Sequence, residues 1–384
     1  MKVGIDKIGA YIPKHYVEMT ELAKARSIDP NKLTIGIGQD RMAVPTLCED
    51  IVTMAANAAL QILDDSDKAA IDQIIFATES SFDFSKAAAT YLHELLEIQP
   101  YAKAYELKQA CYGTTAGVQI AADYVRLRPN RKVLVIASDI ARYGLNTPGE
   151  ATQGAGAIAL LISANPRILA LDLESVSYTT NQYDFWRPSY SNVAFVDGKF
   201  STELYQACFK QVMKQANLQD LTALVFHLPF SKMGKKALDA YKEVAPSELA
   251  SVIEQWEAHY DNSILLGRQV GNIYTGSLYL SLLSLLWHSD ELEAGQRIGL
   301  FSYGSGAVAE LFCGELQSDY KAQIAQMDLA THLNRRVALP IAEYEAIFEQ
   351  KLPVSDEVIR IDDAYTIDGV HLACIDAHRR YYTK

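Results

Sequence analysis

Residues 131–140 read RKVLVIASDI, an unbroken apolar run of strand length that ends on Ser138 and Asp139. A strand wet on one face alternates apolar and polar residues, so a continuous run marks a strand covered on both faces. Working outward, IDQIIFATES (71–80) has the same character. Between the two lie SKAAATYLHELLEI (85–98) and GTTAGVQIAADYVRL (113–127), both helical in period and composition, and GAGAIALLIS (154–163) enters a further strand through glycines. This alternation predicts an α/β chain with helices layered on a mainly parallel sheet.

The second half repeats the rhythm. LTALVFHLPF (221–230) reads as a strand ending at His227, GSLYLSLLSLLWHS (276–289) as a buried helix, and QRIGLFSYGSGAVAELF (296–312) as strand, glycine turn and strand. A boundary near SANPRILALDL (163–173) divides the chain into an N-terminal half, 1–165, and a C-terminal half, 166–384. The charged tail from Ser318 on, with stretches such as PIAEYEAIFEQKL, predicts a peripheral helical subregion.

With 384 residues the chain suits two domains of ordinary size, and 49% hydrophobic residues can fill large cores. A net charge of −12 argues against a nucleic-acid partner, which needs a basic face. The start MKVGIDKIGAYIPKHY is broken by charge, Gly and Pro, so no signal peptide is expected. LYLSLLSLLW (278–287) is too short for a membrane span. Five widely spaced cysteines without a CxxC pair fit a reduced cytoplasmic enzyme with no metal site.

Cys111 in ELKQACYGTTAG falls where an extended run gives way to a small-residue helix. A helix N-terminus lowers a thiol pKa, which would make Cys111 a nucleophile; a small buried thiol is the alternative. Glu79 closes the strand 71–80, at the end where α/β proteins place ligands. His227 ends a strand, Asn272 in GNIYTGS opens the buried helix, and Ser305 sits in the GSG turn. Singly these read as a helix-start carboxylate, a core histidine, a cap and a hairpin. Together, each at a strand or helix end of one α/β layout, they favour a nucleophilic Cys111.

The segments ATESS, ACYGTTAG, TQGAGA, YDFWRP, FHLPFSKMGKKAL, GNIYTGSLY and FSYGSGAVAE together resemble the bacterial hydroxymethylglutaryl-CoA synthase family of the thiolase superfamily. The resemblance implies a thiolase-like duplicated α/β/α/β/α core, a cytoplasmic homodimer, and CoA thioesters as substrates with no separate cofactor, in the mevalonate route to isoprenoids. It implies that Cys111 accepts the acetyl group of acetyl-CoA and that Glu79 takes a proton from the acetyl methyl. His227 then protonates the alkoxide formed on acetoacetyl-CoA. Glu79 is expected to be dispensable for the first of these steps. By the same resemblance Asp29, Tyr112, Thr152, Asp184, Ser201, Asn272 and Ser305 line the substrate channel. Lys232 and Lys236, rather than Lys235, meet CoA phosphates. A thiolase would instead use a second cysteine, for which Cys313 is the candidate, and a ketosynthase would give Glu79 no role. A carrier-protein-dependent relative, a Cys/His thioesterase and a plain acyl-CoA-binding protein are the other readings.

Overall fold

The computed structural model describes residues 1–191, 193–218, 220–353, 355–361 and 367–384. Nine strands form one sheet: β1 (Val3–Tyr11), β2 (Ile71–Ala77), β3 (Lys103–Leu107), β4 (Lys132–Ala141), β5 (Gly154–Ala164), β6 (Leu169–Thr179), β7 (Leu221–Phe226), β8 (Arg297–Gly304) and β9 (Val308–Leu316). Their spatial order is β7-β8-β9-β6-β1-β5-β4-β2-β3. The first five strands of the chain fill one end and the last four the other. The two groups join where β1 pairs with β6, through Gly4–Ala170 and Ile5–Leu169.

The sheet is mixed rather than mainly parallel. β2 runs parallel to β3 and β4, and β7 to β8, while the other neighbours are antiparallel. The reason lies in the connections. The turn 305–307, which joins the neighbours β8 and β9, is too short for the crossover that a parallel pair requires, and β1, set between β5 and β6, runs antiparallel to both.

The principal helices are α1 (Ile51–Leu60), α2 (Ala88–Leu95), α3 (Gly113–Leu127), α4 (Gly198–Met213), α5 (Met233–Lys242), α6 (Ala250–Val270) and α7 (Ser277–His288). Successive strand residues point to opposite faces, and this period sorts the cores. Ile75, Val133, Val135, Val225, Ile298 and Leu300 meet α3 and α7 in a middle core. Ile74, Phe76, Leu134 and Ile136 meet α1 and α2 on one outer face. Leu224, Phe226, Phe301 and Leu311 meet α4, α5 and α6 on the other. The result is the expected five layers, helix and sheet in turn, with α3 and α7 buried between the two strand groups.

The tail carries helices α8 (Tyr320–Ala325), α9 (Leu329–Asn334) and α10 (Ile341–Glu349). The first two are less peripheral than expected, since Tyr320, Ile324 and Leu329 belong to the middle core. The tail also ends in a small antiparallel sheet, 359–360, 371–376 and 379–383. It docks on α1 through Asn57, whose amide bonds both the N–H and the C=O of Val370 at 2.9 Å.

Phe301 lies at the centre of an aromatic cluster, with the rings of Tyr205, Phe209 and Phe226 at 5.3, 4.8 and 6.1 Å. Phe301→Ala is expected to cost about 3–5 kcal/mol, because the strand backbone cannot collapse into the void. A lower urea midpoint reads this out; an unchanged midpoint would contradict the packing described.

Candidate active site

The carboxyl ends of β2, β4 and β7 and the turn before α3 converge on one cavity. Ala110 adopts the left-handed region, with φ +43. That conformation is uncommon for any residue but glycine, asparagine or aspartate, and a small side chain eases it. The turn is closed by Tyr112 N–H on the Gln109 carbonyl at 3.0 Å. It presents Cys111 just ahead of α3. Gly304 supports it from β8: a Cβ there would stand 2.6 Å from Tyr112 N and 2.7 Å from Gln109 O.

Asp139 is buried beneath this turn and collects donors from two segments. Its Oδ1 accepts from Thr78 Oγ1 (2.9 Å), Glu79 N (2.7 Å) and Ser80 Oγ (2.9 Å). Its Oδ2 accepts from Thr275 N (3.1 Å) and Thr275 Oγ1 (2.5 Å). The backbone that carries Glu79 is thereby fixed. The Glu79 side chain then reaches Cys111, whose Sγ–H donates to Oε1 at 3.0 Å.

Both groups keep one partly exposed face but are otherwise enclosed by protein. Desolvation, followed by the Asp139 charge, pushes the Glu79 carboxyl up to about 8. Burial, and then the Glu79 carboxylate, pushes the Cys111 thiol well above its ordinary value. The expected lowering by a helix N-terminus is therefore overturned. Cys111 precedes the helix by two residues, and the neighbouring carboxyl groups oppose any thiolate there. In this state Cys111 is a thiol whose proton already points at a base.

His227 follows β7, with its N–H on the Phe301 carbonyl at 2.8 Å and its own carbonyl accepting from Tyr205 Oη at 2.7 Å. Burial pulls its imidazole down to about 3, so it is neutral, and Nδ1 meets no partner among the described residues. Asn272 does two things. Its Oδ1 accepts from Tyr274 N and Ser277 Oγ, both at 2.9 Å, the capping role, while Nδ2 donates to Tyr143 Oη at 3.1 Å.

The cavity above them measures about 600 Å³. Of the expected residues, Cys111, Thr152, Ser201, His227, Asn272 and Ser305 line it. Asp184 lies behind the wall, where it holds the GSG turn through Gly306 N (3.0 Å) and Tyr303 Oη (2.7 Å). Tyr112 turns away, donating to Glu310 at 2.6 Å, so it does not line the channel. Asp29 is exposed and accepts from Asn31 N. Lys232 lies beside Gly38, and Lys236 over Phe230 at 5.2 Å, outside the wall itself. Lys235 is committed to Asp239 and Glu257. Cys313 lines a different cavity, with Lys2 and Arg297, so nothing places it to act with Cys111. Among the described residues no group of three His, Cys, Asp or Glu could hold a metal ion.

Three contributors escaped the sequence reading. Asp139 was visible as a charge closing an apolar strand, the same signal that drew attention to Glu79. Tyr143 follows β4 with no local pattern to mark it. Phe185 belongs to a ribbon, Phe185–Trp186 with Phe195–Val196, that among the described residues pairs only with itself. Its ring meets Tyr143 and Tyr274 at 5.9 and 5.8 Å.

Comparison with known proteins gives a consistent result. Residues 1–167 match the family model for the N-terminal part of hydroxymethylglutaryl-coenzyme A synthase, and residues 242–384 match that for the C-terminal part. The hydroxymethylglutaryl-CoA synthase of Enterococcus faecalis is 49% identical, covering 97% of this chain and 98% of its own. A polyketide-biosynthesis 3-hydroxy-3-methylglutaryl-ACP synthase of Bacillus subtilis is 31% identical over 91% and 88%. A crystal structure of an HMG-CoA synthase complexed with CoA superposes with a TM-score of 0.95 at 43% identity, covering 100% of both chains.

The coupling of Cys111 to Glu79 is open to a direct test. Glu79→Gln removes one cause of the raised thiol pKa, so alkylation of Cys111 by iodoacetamide above about pH 8, where Glu79 is ionised, should accelerate. Each unit by which the thiol falls increases the thiolate about ten-fold. Unchanged or slower alkylation would mean that the carboxyl group does not act on the sulfur.

Proposed function

The chain belongs to the hydroxymethylglutaryl-CoA synthase family, and from that we propose that it condenses acetyl-CoA with acetoacetyl-CoA and water to 3-hydroxy-3-methylglutaryl-CoA, through a thioester on Cys111. The observation that supports this route is the 3.0 Å contact of Cys111 with Glu79, under a cavity that His227 and Asn272 also line.

The steps follow from the chemistry of these groups. Cys111 sulfur attacks the acetyl carbonyl as its proton passes to Glu79, CoA thiol leaves, and a thioester remains. Backbone N–H groups at Cys111 and Ser305 suit the thioester oxygen. Glu79, once deprotonated, removes a proton from the acetyl methyl, and the carbon attacks the C3 ketone of acetoacetyl-CoA. Neutral His227 and the Asn272 amide donate hydrogen bonds to the ketone oxygen as negative charge builds there. As that charge offsets its burial, the imidazole becomes basic enough to take up a proton from solvent and pass it to the alkoxide oxygen. Water then cleaves the Cys111 thioester and restores the thiol. The thioester supplies the acidity of the methyl group, so the reading calls for no separate cofactor.

The same proposal takes residues 1–165 as the half that carries Glu79 and Cys111, and 166–384 as the half that carries His227, Asn272 and Ser305. It places Lys232 and Lys236 on CoA phosphates, and the protein as a homodimer in the cytoplasm. Among the described residues no helix is long and apolar enough to cross a membrane.

Cys111→Ala should lose both acetylation by acetyl-CoA and condensation. Glu79→Gln separates the steps. Acetylation should persist, slowed by loss of the proton acceptor but helped by a more acidic thiol. Condensation should fall at least about a thousand-fold, within or beyond the usual range for a general base. Peptide mass spectrometry and loss of acetoacetyl absorbance report the two steps. Near-normal condensation by that variant would make Glu79 structural.

The pH profile carries a sign. A base whose pKa is raised to about 8 is largely protonated below that value. Condensation by acetyl-enzyme should therefore accelerate as pH rises through about 8, and a rate flat across that interval would remove Glu79 from the role.

A further inference from the structure

Tyr112 at the entry to α3, with Thr115 and Gln119 inside it, has the spacing that stacks side chains along one helix face. All three are polar, and they meet β8 and β9, far along the chain. Tyr112 Oη donates to Glu310 Oε2 at 2.6 Å, and Gln119 Nε2 donates to Glu310 Oε1 at 2.9 Å. Thr115 Oγ1 donates to Ser302 Oγ at 2.8 Å. Ser302 and Glu310 are opposite one another in the β8–β9 register, so both face α3 from the sheet.

Glu310 is 3% exposed. A carboxyl group buried this deeply depends on the donors it meets, and here each oxygen has one. Burial, and then Glu310, pushes the Tyr112 hydroxyl up, so it remains a donor.

The Tyr112–Glu310 bond joins two turns. Tyr112 follows Cys111 directly, and Glu310 lies on the strand that leaves the turn of Ser305. Two further contacts run the same way. Gln109 Nε2 donates to the Ser305 carbonyl at 3.3 Å, and Gly304 packs against the backbone of Gln109 and Tyr112. The Cys111 and Ser305 N–H groups that suit the thioester oxygen therefore come from separate segments, and neither segment alone can set their spacing. Such donors act only when they are held where the negative oxygen forms.

We propose that Glu310 is a positioning residue for acyl transfer: by holding Tyr112, it fixes the Cys111 turn against the Ser305 turn. This inference rests on the thioester route above. Glu310 touches no reacting atom. Its influence falls on steps that build negative charge on the acyl oxygen and spares reactions of the sulfur that build none.

The test compares two reactions of Cys111 in the full-length protein. Acetylation by acetyl-CoA charges the acyl oxygen, whereas alkylation by iodoacetamide does not. Tyr112→Phe removes only the hydroxyl. It should slow single-turnover acetylation at saturating acetyl-CoA by about ten-fold, less than the loss of a whole oxyanion donor. The half-saturating concentration and the alkylation rate should each change by less than about two-fold. Glu310→Leu should match Tyr112→Phe, and the double variant should be no slower than either, because both groups act through one bond. Glu310→Gln should recover most of the rate, since its amide can accept from Tyr112 while Gln119 turns its own oxygen inward. Wild-type acetylation by Tyr112→Phe overturns the inference, whether or not the Glu310 variants fold. So does alkylation slowed as much as acetylation, the mark of a turn that has merely loosened. A wild-type protein that takes up no acetyl group removes the thioester route and the inference with it.

Discussion

The active site hangs on one buried carboxylate. Asp139 ties the end of β2, through Thr78, Glu79 N and Ser80, to Thr275 at the start of the α7 region. These segments come from opposite halves of the chain, and neither could be set by its own secondary structure. A carboxylate with five donors is satisfied despite its burial, so it can act as a rigid staple. It does so while placing negative charge next to Glu79. The staple is thus also an electrostatic device.

That charge explains why neither partner of the reactive pair sits at its ordinary pKa. Enclosure alone would favour the neutral forms of both Glu79 and Cys111, and Asp139 pushes each further in the same direction. The pair consequently shares its proton locally instead of losing it to water. A thiol primed in this way resists stray oxidation and alkylation, yet has an acceptor within hydrogen-bond reach when an acyl group arrives. His227 shows the same preference for neutrality by a simpler means, desolvation alone.

The layered fold was legible because strands such as β4, β5 and β7 are covered on both faces and therefore write unbroken apolar runs. Helices 113–127 and 277–288 were equally plain, being long and uniformly small or apolar. Strand direction was not legible. It depends on which strands are neighbours: the short turn 305–307 makes β8 and β9 antiparallel because they pair, whereas β5 and β6, joined by the equally short 165–168, flank β1 and do not pair. In the site, Cys111, Glu79, His227, Asn272 and Ser305 could be picked out because each closes or opens an element. Tyr143 and Phe185 could not, since they reach the cavity from a loop and a self-paired ribbon. Tyr112 shows the opposite case: the resemblance placed it in the channel, but at the entry to α3 its side chain turns toward Glu310.

The position of β1 has a consequence for how the chain is made. It precedes every other strand of the sheet in the chain, yet it lies at the centre of the sheet, between β5 and β6. Neither neighbour exists until about 150 further residues have been added, which takes roughly 8–30 s at typical elongation rates. Through that interval an apolar strand stands without partners, a hazard for association between nascent chains. Two charges in its middle guard it. In the finished protein Asp6 is clasped by Arg167 at 2.7 Å, and Lys7 by Asp67 at 2.6 Å, at the point where the pairing register slips. Before those partners emerge, the same pair keeps the segment hydrated, and a residue pattern that looks like a flaw in the strand works as a safeguard during translation.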